Sequence, residues 1–261
     1  MAELRPVTLI TGASAGIGSA LARVFAAHGH EVVLVARREQ LLTQLADEIA
    51  ATGAPKPTVL RADVSRIDAG RRLGEALAAD GVEPEIVVNN AGFGLVGDAV
   101  ALDRGEQLAM IDLNVRTLTD LSLAFADTLV RRQGGILNVA SIAAFLPGPG
   151  MAVYYASKAY VLSFTQALHH ELAPKGVRVT ALCPGPVPTE FQARAGVKAM
   201  KFPRALTRSA ERVAADGYQG LKDNRRVVVP GFPNKLITTL VGLFPRSSVL
   251  KMAGARNKER S

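Results

Sequence analysis

The 261-residue chain has no tryptophan, one cysteine, four histidines and, as its only other aromatic residues, four tyrosines and nine phenylalanines. A lone cysteine, Cys183, excludes an intramolecular disulfide framework. The histidines fall as His28, Gly29, His30 and as the adjacent pair His169, His170. Neither grouping has the i, i+4 or C-x-x-C spacing that closes a metal site, so no metal is expected. No apolar run approaches the ~20 residues needed to span a bilayer. The first one, "PVTLITGASAG", is short and leads into a turn, unlike a secretory leader, so a cytoplasmic protein is expected.

Charge of one sign is also scarce over most of the chain. Residues 1–200 carry 18 basic and 19 acidic side chains, whereas residues 201–261 carry 13 and 4, so the net +8 lies in the last quarter. No zinc-finger, helix-turn-helix or RNA-binding signature accompanies that excess, which argues against nucleic acid. A solvated basic surface, with at most peripheral contact to an anionic membrane, is the expectation.

What is present is a sizeable apolar fraction, 48% of the residues, arranged in a repeating pattern. "VTLI" (7–10), "EVVLVA" (31–36), "TVLRA" (58–62), "EIVVNN" (85–90), "GILNVAS" (135–141), "VRVTALC" (177–183) and "RVVVP" (226–230) read as buried strands. Nearly continuous apolar character suits a parallel sheet covered on both faces. Between strands, helical spacing recurs: Ile17, Leu21, Val24, Phe25; Leu41, Leu42, Leu45, Ile49; Leu118, Leu121, Leu123, Phe125; Val161, Phe164, Leu168, Leu172. Strand–helix alternation of this kind predicts an α/β, doubly wound parallel sheet of about seven strands, a Rossmann fold in one domain over residues 1–230. Residues 231–261 form a basic, amphipathic, helical C-terminal extension, with Leu236, Ile237, Leu240, Val241 and Phe244 on one face ahead of Pro245.

"TGASAGIG" (11–18) follows the first strand and opens the first helix, the context that makes a glycine motif informative. Gly12 permits the sharp turn, Gly16 and Gly18 permit close approach of a phosphate and of helix to strand, and Ser14 and Ile17 complete the loop. The helix N-terminus then offers free N–H groups and positive dipole to a pyrophosphate. A P-loop is excluded, because Gly18 is followed by Ser19 and Ala20 rather than Lys-Ser/Thr. After the second strand stand Ala36, Arg37 and Arg38, where an acidic residue would take the ribose hydroxyls of NAD. Two guanidiniums there suit a 2′-phosphate and favour NADP over NAD, Arg37 being the stronger candidate.

Further along come "NNAG" (89–92), Asn114 in "DLNV", Ser141 in "NVASIAA", the Tyr154-x-x-x-Lys158 pair within "YYASK", and "PGPVPT" (184–189). In this order and spacing, and together with the TGxxxGxG turn, they resemble the short-chain dehydrogenase/reductase family over about residues 6–230. The resemblance implies an active site of Asn114, Ser141, Tyr154 and Lys158. It implies cofactor contacts from Asp63 and Val64 at the adenine, from Asn90, Ala91 and Gly92 at the adenosine ribose, and from Pro184, Gly185, Val187 and Thr189 around the nicotinamide. Ala15 stands where some NADP-preferring members carry a basic residue, so the NADP preference rests on the two arginines. In this reading Tyr154 exchanges a proton with the substrate oxygen, and the Lys158 ammonium lowers its pKa and holds the nicotinamide ribose. Ser141 holds the substrate oxygen, Asn114 holds a water relaying protons to Lys158, and Tyr155 is a packing or pocket-wall aromatic.

The activity so implied is reversible reduction of a ketone or aldehyde to an alcohol by an NADP-dependent carbonyl reductase or alcohol dehydrogenase. Phe191, Met200 and Phe202 suggest apolar pocket walls and a lipophilic small-molecule substrate. Similar enzymes are homodimers or homotetramers. The alternative, a non-catalytic NADP-binding redox sensor or scaffold, would be expected to lack a catalytic position. A nucleotide-sugar epimerase on the same fold would have a longer chain and a TGxxGxxG turn.

Overall fold

The computed structural model describes residues 4–196 and 203–245, together with positions 247, 249, 250 and 253. Met200 and Phe202, and the basic residues Arg246, Lys251, Arg256 and Lys258, lie outside the described residues. Seven parallel strands form one sheet: β1 (Arg5–Thr11), β2 (Val32–Ala36), β3 (Thr58–Arg61), β4 (Val82–Asn89), β5 (Gly135–Val139), β6 (Arg178–Leu182) and β7 (Val227–Val228). Their spatial order is β3-β2-β1-β4-β5-β6-β7. Each corresponds to one of the seven apolar runs.

Among the described residues the elements that accompany the strands include the α-helices α1 (Gly16–Ala27), α2 (Glu39–Ala51), α3 (Ala69–Ala79), α4 (Arg104–Ile111), α5 (Leu118–Ala124), α6 (Ala126–Arg132), α7 (Ala152–Leu172), α8 (Glu190–Arg194), α9 (Ala210–Lys222) and α10 (Phe232–Leu240). Alternate side chains along each strand sort to opposite faces, the period-2 consequence of the pleat. In β2, Val32 and Leu34 join the core made with α1, α2 and α9, while Val33 and Val35 join the core made with α3, α5, α6 and α7. Both faces are therefore covered, which is why the strands read as unbroken apolar runs rather than alternating ones.

The helical stripes hold with one exception. Leu118, Leu121 and Phe125 are buried, but Leu123 is 56% exposed. It lies two residues past Leu121, about 200° around the helix at ~3.6 residues per turn, and so points away from the sheet.

Strand order reverses between β1 and β4. The chain leaves one in one direction and the other in the opposite direction, opening a crevice at their carboxyl ends. The helical run from Arg104 to Ala124 is interrupted at Asp112–Thr117 by a π-helical stretch that carries Asn114. Such bulges recur at functional sites because they re-aim a side chain. No helix among the described residues is long and apolar enough to cross a membrane.

Candidate active site

The crevice is a cleft of ≈ 960 Å³. Of the twenty residues singled out from sequence, all but Gly18 and Asn114 line it. Those two stand directly behind its wall, each for a physical reason.

Gly12 and Gly16 adopt φ of +65° and +60°, which L-residues with side chains rarely tolerate. At Gly18 the constraint is space: a Cβ would lie 2.3 Å from the Gly12 carbonyl oxygen and 2.5 Å from Asn90 Nδ2. Asn90 fastens this turn by donating through Nδ2 to the carbonyl oxygens of Thr11 (2.9 Å) and Gly12 (3.2 Å). Thr11, which sequence reasoning did not single out, accepts at Oγ1 from the N–H groups of Asn90 and Ala91. The glycine turn and the "NNAG" stretch are thus one interlocked unit across the strand-order reversal. Ala15, at the N-cap of α1, supplies no side-chain acceptor to the first helical turn. A cradle with no Cβ and an uncapped helix N-terminus fits the pyrophosphate of a dinucleotide.

Where the resemblance would put the adenosine, the Asp63 carboxylate accepts from the N–H and hydroxyl of Ser65 at 3.0 and 2.7 Å. Partial burial alone would raise its pKa, but these bonds and the nearby Arg37 and Arg66 outweigh it and hold the acid below its usual range. Arg37 is exposed at the cleft edge. Arg38 is more than a surface charge: it donates to Ser14 Oγ through Nε (3.2 Å) and a terminal nitrogen (3.0 Å), and pairs with Glu190 at 2.8 Å. Glu190 has no motif that would reveal it in sequence.

The four residues of the implied active site come from two separate elements, the π-helical stretch and α7, and from the end of a third, β5. Ser141 follows β5 and caps a short 3₁₀ turn, Ile142–Phe145, accepting from Ala143 N–H at 3.1 Å. Tyr154 and Lys158 lie one turn apart on α7. Lys158 is buried and donates to the Val139 carbonyl oxygen at 2.8 Å. Burial pulls its pKa down to about 8, opposed by the Cys183 sulfur nearby.

Tyr154 differs from the sequence expectation of a lowered pKa. Its ring is half-buried, yet the protein packed around the hydroxyl pushes the phenol up to about 12. The Ser141 hydroxyl opposes the shift and Tyr155 adds to it. The lysine Nζ stands 6.0 Å from the Tyr154 ring centroid and is directed at Val139, so desolvation dominates. At neutral pH the phenol keeps its proton.

Asn114 is tied to the backbone on the far side of Gly92. Its Oδ1 accepts from Phe93 N–H (3.1 Å), and its Nδ2 donates to the Phe93 carbonyl oxygen (2.9 Å) and to Ser157 Oγ (3.1 Å). Ser157 in turn donates to the Tyr154 carbonyl oxygen at 2.7 Å, which joins α7 to the π-helical stretch. Both amide protons are in use, so only the second lone pair of Oδ1 remains for a relayed water. Tyr155 lies edge-on to Tyr154, centroids 6.1 Å apart, and packs on Gly148, where a Cβ would fall 2.3 Å from its ring.

The loop over residues 184–189 is held by two devices. Thr189 caps α8 in a reciprocal box with Gln192 and rests on Gly16, and Asn234 of α10 packs against Gly185 while donating to the carbonyl oxygens of Leu206 and Pro230 at 3.0 Å each. Among the described residues no cluster of three or more His, Cys, Asp or Glu side chains could hold a metal ion.

Comparison with known proteins agrees with this geometry. The sequence pattern of the family described as short chain dehydrogenase matches residues 6–199. Sulfoacetaldehyde reductase 2 of Chromohalobacter salexigens is 39% identical over 188 residues, 71% of this chain and 74% of that protein. A short-chain dehydrogenase from Sphingobium yanoikuyae in complex with NADPH superposes with a TM-score of 0.80 at 33% identity, covering 91% of this chain and 94% of that one. A short chain dehydrogenase/reductase from Burkholderia phymatum in complex with NAD gives 0.79 at 26% identity, covering 93% and 96%. With that match spanning most of the chain, and a solved relative superposing over 91% of it, this protein belongs to the short-chain dehydrogenase/reductase family of oxidoreductases.

Proposed function

We propose that the chain is an NADP-dependent oxidoreductase that interconverts a lipophilic ketone or aldehyde and its alcohol. The observation that carries this reading is Tyr154: a phenol kept protonated inside the cleft that Ser141 also lines, one turn from the buried Lys158. When bound, the nicotinamide supplies the hydride. The protein's part is the proton and the charge. Tyr154 donates its proton to the oxygen that becomes the alkoxide, and Ser141 holds that oxygen as its charge grows. Lys158, anchored on Val139, is placed to bond the nicotinamide ribose and to restore the phenol's proton through the water that Asn114 is suited to hold.

NADP rather than NAD follows from Arg37 and Arg38 after β2, where NAD would call for a carboxylate. A lipophilic substrate follows from the far end of the cleft. There Leu146, Met151, Leu206, Ile237, Leu240 and Phe244 contribute lining, and α10 packs beside the turn that begins at Ser141. Ile237, Leu240, Val241 and Phe244 of the C-terminal extension act in this reading as the substrate-side wall of the catalytic domain, and the extension makes at most peripheral membrane contact. A small charged aldehyde, such as the one in the name of the Chromohalobacter relative, would leave that apolar wall without a purpose. Leu108, Ile111, Leu123 and Tyr160, exposed on α4, α5 and α7, fit a homodimer or homotetramer interface.

An oxidation screen of NADPH and NADH against a panel of aldehydes and ketones tests the reading. Turnover with NADPH and large apolar ketones, falling about tenfold in Arg37→Ala while NADH use is little altered, is the expected result. Specific NADPH binding without turnover of any carbonyl would favour the redox-sensor alternative.

A further inference from the structure

Helix α8 carries two charged side chains one turn apart, Glu190 and Arg194, and both line the cleft. Glu190 is accounted for by its pair with Arg38. That pair and the contact of Thr189 with Gly16 fasten the start of α8 to the nucleotide turn. Arg194 has a different situation. Its guanidinium carbon lies 4.3 Å from the centroid of the Phe93 ring, immediately after the "NNAG" stretch, in the segment against which the end of α8 packs through Val96 N–H and the Ala195 carbonyl oxygen at 3.0 Å. A flat guanidinium laid on an aromatic face keeps its in-plane N–H donors available.

No ion pair to Arg194 occurs among the described residues. Its charged neighbours are of both signs: Arg37 and Arg38 disfavour its charge, Glu106 favours it, and partial burial, the largest influence, lowers its pKa. Glu190, one turn before Arg194, holds Arg38, so α8 carries Arg194 along the stretch of the cleft that Arg37 and Arg38 also line. Arg38 has most of its donors directed at Ser14 and Glu190, whereas Arg37 and Arg194 have none so committed among the described residues. Like charges gathered at a cleft edge without a fixed carboxylate for each raise the folded state's energy, and a ligand anion relieves it.

The geometry points to Arg194 as a cofactor-binding residue, a third guanidinium that meets the 2′-phosphate of NADP from the substrate-side helix. This deepens the NADP reading and rests on it. The consequence is that cofactor choice is sensed by α8 as well as by the loop after β2, through an arginine that no nucleotide motif marks.

The test uses the full chain and two probes, adenosine 2′,5′-bisphosphate and 5′-AMP, which differ only in the 2′-phosphate, with affinities read by calorimetry. Wild type should bind the bisphosphate at least tenfold more tightly. Arg194→Ala should lose about tenfold in bisphosphate affinity and keep that for 5′-AMP, the size expected for one charge-assisted contact. Arg194→Lys should recover part of the loss, and thermal melts should show all variants folded, since the side chain is exposed. Arg194→Ala binding the bisphosphate as wild type does, while Arg37→Ala loses it, would overturn the role of Arg194 and leave NADP selection standing. Equal losses for both probes would overturn it too, by assigning the contact to the shared 5′-phosphate. No preference for the bisphosphate in wild type would overturn both.

Discussion

The two ends of the cleft are built on different principles. The nucleotide end is a lattice of polar contacts that admit few alternatives: Asn90 on Thr11 and Gly12, Thr11 on Asn90 and Ala91, Asn114 on Phe93 and Ser157. The end proposed to take the substrate is walled by α10 and the turn after it, where Ile237, Leu240 and Phe244 remain 40%, 39% and 57% exposed. A polar lattice fixes distances to a fraction of an ångström, because each donor left without its acceptor costs about 1–3 kcal/mol. An apolar wall requires only shape and can be redrawn by single side chains at modest cost. In the proposed reading, cofactor binding is therefore rigidly specified and substrate choice is adjustable.

The largest effect that would break this contrast is expected at Gly18→Ala. The new Cβ has backbone rather than flexible side chain in its way, at 2.3 Å from the Gly12 oxygen, so the turn must open. NADPH affinity should fall by more than about a hundredfold, measured by quenching or transfer of reduced-nicotinamide fluorescence. An unchanged affinity would mean that the lattice is not what shapes the cradle.

An intermediate effect concerns pH. Burial lowers the Lys158 pKa to about 8, so the side chain is an ammonium below that value and an amine above it. Tyr154, raised to about 12, stays protonated throughout. The profile of kcat/KM for NADPH, which reports the free enzyme, should therefore fall on an alkaline limb near pH 8. Deletion of that limb in Lys158→Met and its absence in wild type below pH 10 are the confirming and contradicting results.

The smallest effect belongs to the substrate end. Leu240→Ala should raise KM for a large apolar ketone by a few-fold, on the order of 1 kcal/mol for a half-exposed leucine, with cofactor affinity unaltered. A change in NADPH affinity as large as that of Gly18→Ala would erase the distinction between the two ends.

The same contrast explains what could be read from the sequence. All seven strands were legible because a two-sided parallel sheet demands apolar runs, and the turn was legible because only glycine satisfies its φ and its contacts. Leu123 misled because helical spacing does not say which way a short helix is turned. The charge states of Tyr154 and Lys158 depend on how deeply α7 is packed, and spacing along one helix carries no such information. Glu190 and Arg194 escaped notice because their partners, Arg38 and Phe93, are about 150 and 100 residues away in sequence, and no local pattern records such pairing.

The central claim is that Tyr154, and not its neighbour Tyr155, delivers the proton. It is tested most directly by comparing Tyr154→Phe and Tyr155→Phe in NADPH-dependent reduction of one ketone, with NADPH affinity measured alongside. The account predicts a loss of roughly 10²–10⁴-fold in kcat for Tyr154→Phe with cofactor binding largely intact, and less than about a threefold change for Tyr155→Phe. Comparable losses in the two variants, or turnover surviving in Tyr154→Phe, would contradict it.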